Sequence, residues 1–191
     1  KAYMPLSSLG RLRLRPGAMK HFANIHTHLP EDNAVVNIEP EQLPDDSGWF
    51  SVGIHPWRAG EADILWPLVE KAAMHPHVVA IGECGLDAVR GPALDIQIPV
   101  FERHVRLSEA LGKPLIIHAV RTWPQLISAR KRLKPRQEWI IHGFRGKAAL
   151  AAELLRHGFS LSFGQIYNQQ AFDITPPERR YRETDSMPDS L

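Results

Sequence analysis

The chain has 191 residues, of which 43% are hydrophobic and 23% charged. This length suits one domain with a hydrophobic core, and the apolar fraction is ordinary for a globular protein. The single cysteine excludes an intramolecular disulfide framework and a cysteine-rich zinc site. A formal net charge of +2 neither requires nor excludes a nucleic-acid partner. The ten histidines are the unusual feature, because imidazole is often used for metal binding and proton transfer.

The amino-terminal segment, residues 1–19, carries Arg11, Arg13 and Arg15 but no acidic residue. Such a segment can act as a transit peptide, yet a non-functional extension or an edge of the fold is the simpler explanation. We therefore expect residues 20–191 to form a single domain and the protein to be cytoplasmic. No run of about 18 apolar residues is present, so we expect no membrane span.

Eight short apolar runs recur along the chain, each bounded by glycine, proline or polar residues. Their length and their content of β-branched residues are typical of strands. The predicted strands are residues 21–28, 34–38, 50–56, 78–87, 114–121, 138–145, 159–164 and 181–186.

Helical spacing of apolar residues predicts four helices between the later strands. They cover residues 62–74, 95–111, 123–133 and 147–157, and Asp95 and Gly112 are expected to cap the second one. Strands that alternate with helices predict an α/β fold with a parallel sheet, and eight strands predict a compact (β/α)₈ TIM-type barrel. That fold usually takes about 250 residues. The shortfall predicts reduced early helices and no closing carboxyl-terminal helix.

Residues suited to metal binding or proton transfer stand late in the predicted strands. Barrel enzymes assemble their active sites at this end of the sheet. His26 and His28 are two residues apart in the first strand and should therefore share a face. The other candidates, in chain order, are His55, Glu83, Asp87, His118, His142 and Asp185.

The donor set combines imidazoles with carboxylates and suits Zn²⁺, Mn²⁺, Ni²⁺ or Mg²⁺. Glu83, on a central strand, could bridge two ions, which would clamp the attacking and leaving oxygens of a phosphodiester. Asp185 is the natural acceptor of the proton from the attacking water. Each motif alone is more often structural, but their joint placement favours a metal site.

The motifs that carry a family resemblance are NIHTHL, VGIHPW, AIGECGLD, PLIIHAVR, IIHGFRG, LSFG and ETDSMP, with Gln97 and Phe101 between them. Across residues 22–188 the chain resembles the TatD-like metal-dependent hydrolases, often called TatD-related deoxyribonucleases. The resemblance implies a (β/α)₈ barrel with one or two divalent ions. It assigns one ion to His26, His28, Glu83 and Asp185, and a second to Glu83, His118 and His142.

Three further residues are candidates for substrate contacts. His55 resembles the histidine of the family's GIHP motif, which would touch substrate rather than metal. Arg121 resembles the arginine of the H-x-x-R motif and could grip a phosphate, or else pair with a surface acid. Arg145, with Lys147 nearby, could extend an anion-binding site or lie in a solvated loop.

The chain also departs from the family pattern. Asn24 stands where the family usually has aspartate, and the helices that usually follow the ETD segment are missing. Asp185 lies only six residues from the end of the chain. These departures bear most directly on barrel closure and on the position of Asp185.

Other reactive or aromatic residues have simpler explanations. Cys84 should point away from Glu83 and pack under a helix, and Asp87 either orients a ligand or accepts from loop N–H groups. His75 and His77 precede the fourth strand at the end associated with stability, whereas His104 and His157 suit surface or capping positions. Three tryptophans either stack bases at the barrel mouth or pack its edge. They are Trp49, Trp57 and Trp123.

Three functions remain open from the sequence. The first is a metal-dependent hydrolase that acts on ester bonds of DNA or another phosphodiester through activated water. The second is a metal-dependent ester, lactone or amide hydrolase, because such sites are chemically permissive. The third is a catalytically impaired barrel that acts as a binding protein.

Overall fold

The computed structural model describes residues 17–188, in which eight strands form one parallel sheet in chain order. All eight predicted strands are confirmed, although most are shorter than expected. Their bounds are β1 Asn24–Thr27, β2 Ala34–Ile38, β3 Trp49–Val52, β4 Val78–Asp87, β5 Leu115–Val120, β6 Trp139–Ile141, β7 Ser160–Phe163 and β8 Arg180–Arg182.

The four predicted helices are also confirmed, and a fifth short one follows β7. Their bounds are α1 Ala62–Ala73, α2 Leu94–Leu111, α3 Trp123–Leu133, α4 Ala148–Arg156 and α5 Gln169–Ile174. The expected cap of α2 by Asp95 is wrong, because Ala93 is the N-cap and Asp95 lies in the first turn. Gly112 ends α2 in the left-handed conformation, with φ of 68°, as expected. In the described part of the chain, no helix is both long and apolar enough to cross a membrane.

The early part of the barrel lacks helices, as the sequence predicted. Within residues 17–188, no helix separates β1 from β2 or β2 from β3, and residues 183–188 after β8 are not helical. Backbone hydrogen bonds nevertheless join the two edges: the Asp185 N–H donates to the His26 carbonyl, and the His28 N–H donates to the Ser186 carbonyl. The segment after β8 therefore joins the two edges of the sheet, and the nearly closed parallel barrel confirms the predicted fold class.

An apolar floor fills the barrel below the polar mouth. Ile116, Ile140 and Tyr181 belong to one buried cluster. Each stands two residues before a polar residue of the mouth, and residues two apart in a strand share a face. Met19 joins this cluster at 1% exposure, so the described end of the predicted extension packs against the barrel. Residues 1–16, with the three arginines, lie outside the described residues, and the domain boundary stays a prediction.

A second apolar layer lies between the sheet and its helices. Ile81, Cys84 and Leu86 of β4 belong to the same buried cluster as Phe101 and Val105 of α2. Fully burying one such side chain contributes about 1.5–3 kcal/mol. Cys84 is wholly buried there, which confirms its predicted place beneath a helix.

Candidate metal centre and active site

Glu83 of β4 is held at the centre of the barrel mouth by close backbone packing. A Cβ at Gly82 would stand 2.3 Å from the Ile116 carbonyl oxygen, and one at Gly85 would stand 2.0 Å from that of His118. Only glycine allows β4 to approach β5 so closely. On the other side, the Asn37 side-chain oxygen accepts the Glu83 N–H at 2.6 Å. These contacts direct a 5% exposed carboxylate into the mouth.

One oxygen of Glu83 meets three imidazoles from three different strands or strand ends. Glu83 Oε1 lies 2.8 Å from His142 Nε2 and 3.0 Å from His118 Nδ1. It also lies 3.3 Å from His55 Nε2. His118 belongs to β5, whereas His142 directly follows β6 and His55 follows β3 by three residues. The carboxyl ends of the strands therefore bring these groups together, as the sequence predicts.

The other oxygen of Glu83 faces the histidine pair of β1. His26 Nε2 lies 3.5 Å from Glu83 Oε2 and 3.4 Å from Asp185 Oδ1. His28 Nε2 lies 3.7 Å and 3.5 Å from the same two oxygens. The two imidazoles thus reach one point between two carboxylates. Most of these separations exceed a normal hydrogen bond and leave the donor atoms arranged around a small space.

The position of Asp185 differs from the prediction in one respect. It was expected late in the eighth strand, but β8 ends at Arg182 and Asp185 lies in the segment beyond it. Its φ of 51° is in the left-handed region, and its N–H donates to the His26 carbonyl. The pairing of β8 with β7 ends early because the chain turns across to β1. This turn brings the Asp185 carboxylate to His26 and His28.

Two outer carboxylates hold His118 and His142 from behind. His118 Nε2 lies 2.9 Å from Asp87 Oδ2, and His142 Nδ1 lies 3.3 Å from Glu183 Oε1. Each imidazole can donate its outer N–H to a carboxylate and turn its other nitrogen towards Glu83. This carboxylate–histidine pattern orients metal-binding imidazoles and increases their basicity.

Glu183 is the functional residue that the sequence argument missed. It lies in the ETDS motif, two residues before Asp185 and two after Tyr181, which faces the interior of the barrel. Strand alternation could therefore have placed it in the mouth. Asp87, which the sequence left undecided, makes the contacts that both alternatives require: its Oδ2 meets His118, and its Oδ1 accepts from the N–H groups of Val89 and Arg90. Its role in orienting a ligand stays a prediction.

The tautomer of His55 follows from its contact with Trp57. Its Nδ1 accepts the Trp57 N–H at 3.2 Å, so the neutral ring carries its proton on Nε2. That N–H is directed towards Glu83 Oε1. In this tautomer Nε2 donates a hydrogen bond, whereas metal binding by the same nitrogen would require the proton to move to Nδ1 and the Trp57 contact to be lost.

The carboxylates and imidazoles of the mouth shift one another's pKa values towards the charged forms. Burial alone would raise the pKa of Glu83, but the charge of His142 and the hydrogen bonds from His118 and His142 hold that pKa well below its ordinary value. Burial would also raise the pKa of Asp185, but hydrogen bonds from His26 and His28 lower it. Burial would lower the pKa of His142, whereas its carboxylate neighbours raise it well above the ordinary value. Both central carboxylates are therefore ionised at neutral pH and can act as ligands.

The donor arrangement fits divalent metal ions. Both ring nitrogens of His26 are buried and have no hydrogen-bond partner within the described chain, which is costly unless another group satisfies them. Ligand atoms lie within 4.8 Å of one another in three sets of residues. The sets are His26, His28 and Glu83; His26, His142 and Asp185; and His55, Glu83 and His118.

The predicted basic residues lie outside this cluster. Arg121 follows β5, and Arg145 and Lys147 follow β6; all three are exposed. Among residues 17–188, their side chains have no ion pair or hydrogen bond. They remain candidates for contacts with a substrate that extends beyond the central carboxylates.

Several secondary expectations are corrected by the structure. His104 is not at the surface: it is fully buried, and its Nε2 accepts the Ile54 N–H at 2.9 Å. Trp49 cannot stack a base at the mouth, because it begins β3 at the opposite end of the barrel and stacks on His77. Trp57 does lie at the mouth, with its ring 4.6 Å from that of His55.

Comparison with known proteins agrees with this geometry. The family model described as TatD related DNase matches residues 12–189. The chain belongs to the TatD-related DNase family. This result confirms the resemblance that the sequence motifs indicated.

Members of the TatD family with curated descriptions are similar over most of this chain. An uncharacterized metal-dependent hydrolase of Mycobacterium tuberculosis is 29% identical over 72% of the chain and 58% of its own length. A 3'-5' ssDNA/RNA exonuclease of Musicola paradisiaca is 28% identical over 72% of the chain and 56% of its own length. A human 3'-5' RNA nuclease is 32% identical over 76% of the chain and 21% of its own length. The chain thus spans about half the length of the two bacterial relatives.

Solved TatD structures share the fold. A TatD homologue from Escherichia coli superposes with a TM-score of 0.73 at 20% identity, covering 86% of this chain and 79% of the other. A TatD family hydrolase from Entamoeba histolytica gives a TM-score of 0.66 at 19% identity, covering 86% and 73%. The barrel architecture is therefore that of the TatD family.

Proposed function

We propose that this chain is a divalent-metal-dependent phosphodiesterase that acts on nucleic acid, DNA in the first instance. The observation that carries the proposal is the convergence of the Glu83 carboxylate, five imidazoles and Asp185 at the barrel mouth. The names of the TatD relatives, several of which are nucleases of DNA or RNA, support this substrate class.

The ligand sets are the two that the family resemblance implies. His26, His28, Glu83 and Asp185 would hold one ion, and Glu83, His118 and His142 would hold a second. The short contacts of Glu83 with all four histidines support this division. Zn²⁺, Mg²⁺, Mn²⁺ and Ni²⁺ all suit these nitrogen and oxygen donors. When bound, such ions lower the pKa of a coordinated water and neutralise charge on a phosphoryl group.

The protein's own side chains would accept the proton of the water and bind the phosphate oxygens. Asp185 is ionised and its side chain is 41% exposed, so it can accept a proton from water on the solvent side of the centre. His55 can donate its Nε2–H to a phosphate oxygen, because its other nitrogen is engaged by Trp57. Arg121 and Arg145 would bind further phosphate oxygens.

The test is metal-dependent hydrolysis by purified, metal-stripped protein. We expect EDTA to abolish cleavage of single-stranded DNA and of bis(p-nitrophenyl) phosphate, and added Mn²⁺, Mg²⁺ or Zn²⁺ to restore it. Glu83→Gln and Asp185→Asn should each lower kcat/KM by more than about a hundredfold, since even outer partners of metal ligands are worth that much. The matched control is Glu70→Gln, an exposed carboxylate on α1.

Three results would contradict the proposal. One is full nuclease activity in a Glu83→Gln, His118→Ala double variant. Another is turnover of p-nitrophenyl acetate without turnover of either phosphodiester, which would indicate the ester-hydrolase alternative. The third is stoichiometric metal and salt-dependent DNA binding with no turnover of any substrate, which would indicate a binding protein.

A further inference from the structure

Arg90 is an exposed cation fixed on an aromatic ring beside the metal centre. Its guanidinium carbon lies 5.0 Å from the centroid of the Trp57 ring, a cation–π arrangement. Within residues 17–188, its side chain has no acidic partner. The neighbouring Arg58 differs, because its guanidinium is already occupied by three carboxylates, those of Glu39, Glu41 and Glu61.

The backbone of Arg90 is held in place. Its N–H donates to Asp87 Oδ1 at 2.9 Å. The amide of Gln97, which is 1% exposed, donates to the Pro92 carbonyl at 2.6 Å and the Arg90 carbonyl at 3.4 Å. Gly91 has a φ of 85°, and a Cβ there would stand 2.8 Å from the Trp57 Cα. The loop therefore packs directly against the turn that carries Trp57.

Trp57 and His118 contact the same carboxylate, that of Asp87. Its indole N–H donates to Asp87 Oδ2 at 2.8 Å, and His118 Nε2 lies 2.9 Å from the same oxygen. Its ring stands 6.1 Å from the His118 ring and 4.6 Å from that of His55. The support for Arg90 is therefore as firmly placed as the imidazole that faces Glu83.

We propose that Arg90, supported by Trp57, forms a phosphate subsite that binds the phosphate adjoining the scissile one in a nucleic-acid strand. A guanidinium stacked on an indole keeps its N–H groups free at the edge, where they match phosphate oxygens. Arg90 follows β4, whereas Arg121 and Arg145 follow β5 and β6. The cation thus adds a phosphate contact at the end of β4, where its supporting ring lies 6.1 Å from the His118 ring. This inference rests on the proposed function.

The experiment compares a long and a short phosphodiester in Arg90→Ala protein. For a ten-nucleotide oligothymidylate, loss of one phosphate contact should raise KM about tenfold, the factor that follows from roughly 1.4 kcal/mol. Hydrolysis of bis(p-nitrophenyl) phosphate should be unchanged, because that substrate has no adjoining phosphate. Binding of the labelled oligonucleotide to metal-free protein, followed by anisotropy, should show a salt slope reduced by about 0.7.

The matched control is Arg103→Ala. Arg103 lies 4.5 Å over the ring of Trp66 in the outer helical layer and has the same kind of cation–π contact. The Arg103→Ala variant should change neither the KM for the oligonucleotide nor the salt slope of binding.

Each outcome decides between the two proposals. Suppose that wild type hydrolyses both substrates. If Arg90→Ala then equals wild type on the oligonucleotide, the subsite is overturned and the proposed phosphodiesterase activity stands. An equal loss on both substrates also overturns the subsite, because it indicates damage to the centre. A metal-free wild type that does not bind the oligonucleotide at low salt contradicts a preformed subsite. Failure of metal-loaded wild type on both substrates overturns the proposed function and this inference with it.

Discussion

Asn24 fastens the first strand to the segment that follows the last one. Its amide nitrogen donates to Glu31 Oε2 and to Thr184 Oγ1, each at 2.8 Å. Its amide oxygen accepts from the backbone N–H groups of His26 and Thr184, each at 3.2 Å. The residue is 3% exposed and lies at the seam that positions Asp185. The family's usual aspartate would have no N–H to donate.

The structure therefore predicts that Asn24→Asp, a change towards the family pattern, destabilises this chain. The carboxylate keeps both backbone contacts but loses the donor to Glu31 and faces a like charge. Repulsion at about 4 Å costs between about 1 kcal/mol in bulk water and about 4 kcal/mol near a protein surface, and a lost hydrogen bond costs about 1 kcal/mol more. Because Asn24 is buried, we expect the free energy of unfolding to fall by at least about 2 kcal/mol.

Asn24→Ala should destabilise for a different reason, because it removes the acceptor of the buried His26 N–H and of the partly buried Thr184 N–H, at up to about 1–3 kcal/mol each. Adding Glu31→Gln to Asn24→Asp should recover about 1 kcal/mol, since the glutamine can donate to the new carboxylate. The same change should not rescue Asn24→Ala.

The assay is urea unfolding in EDTA for wild type, the single variants and the two double variants, treated as double-mutant cycles. EDTA removes stabilisation by bound metal. If Asn24→Asp is as stable as wild type, or if Glu31→Gln fails to rescue it, the proposed seam contact does not explain this departure from the family.

Two further predictions concern His104 and Glu183. Burial lowers the pKa of His104 from 6.5 to about 4, so only the unfolded chain takes up this proton as the pH falls through that window. Between pH 7 and pH 4, wild type should thus lose about 3 kcal/mol more free energy of unfolding than His104→Gln, as measured by urea unfolding at both pH values. Equal losses would refute the lowered pKa of His104. Glu183→Gln should lower the pKa of His142 in an NMR titration, because Glu183 helps to raise it. The same variant should weaken Mn²⁺ binding in calorimetry about 10–100-fold, with Glu178→Gln as an exposed control, and unchanged affinity would exclude an orienting role.

Most of the candidate site could be predicted because its residues follow strand periodicity. His118 stands two residues after Ile116, and His142 two after Ile140, so one pattern places an apolar floor and a polar mouth on the same face. The fixed relation between parallel strands and their carboxyl ends then gathers residues far apart in sequence. Cys84, next to Glu83, was assigned to the opposite face by the same argument.

Local patterns were insufficient where contacts cross between elements. Helical spacing does not show that His104 would be buried against Ile54, and proximity to a strand does not show which end of the barrel receives Trp49. Glu183 sits in a recognised motif, but its contact with His142 depends on how the residues after β8 and after β6 meet at the mouth, with β7 between the two strands.

The sequence by itself determined the parallel barrel, the lack of helices between its first three strands and the strand ends that carry the ligand candidates, because side-chain periodicity and strand order are properties of the local chain. Only the tertiary structure decided how the barrel closes. The turn after β8 carries Asp185 across to His26, and Asn24 holds that seam through contacts with Glu31 and Thr184. These contacts join residues up to 160 positions apart, and no local pattern encodes the register at which two such edges meet.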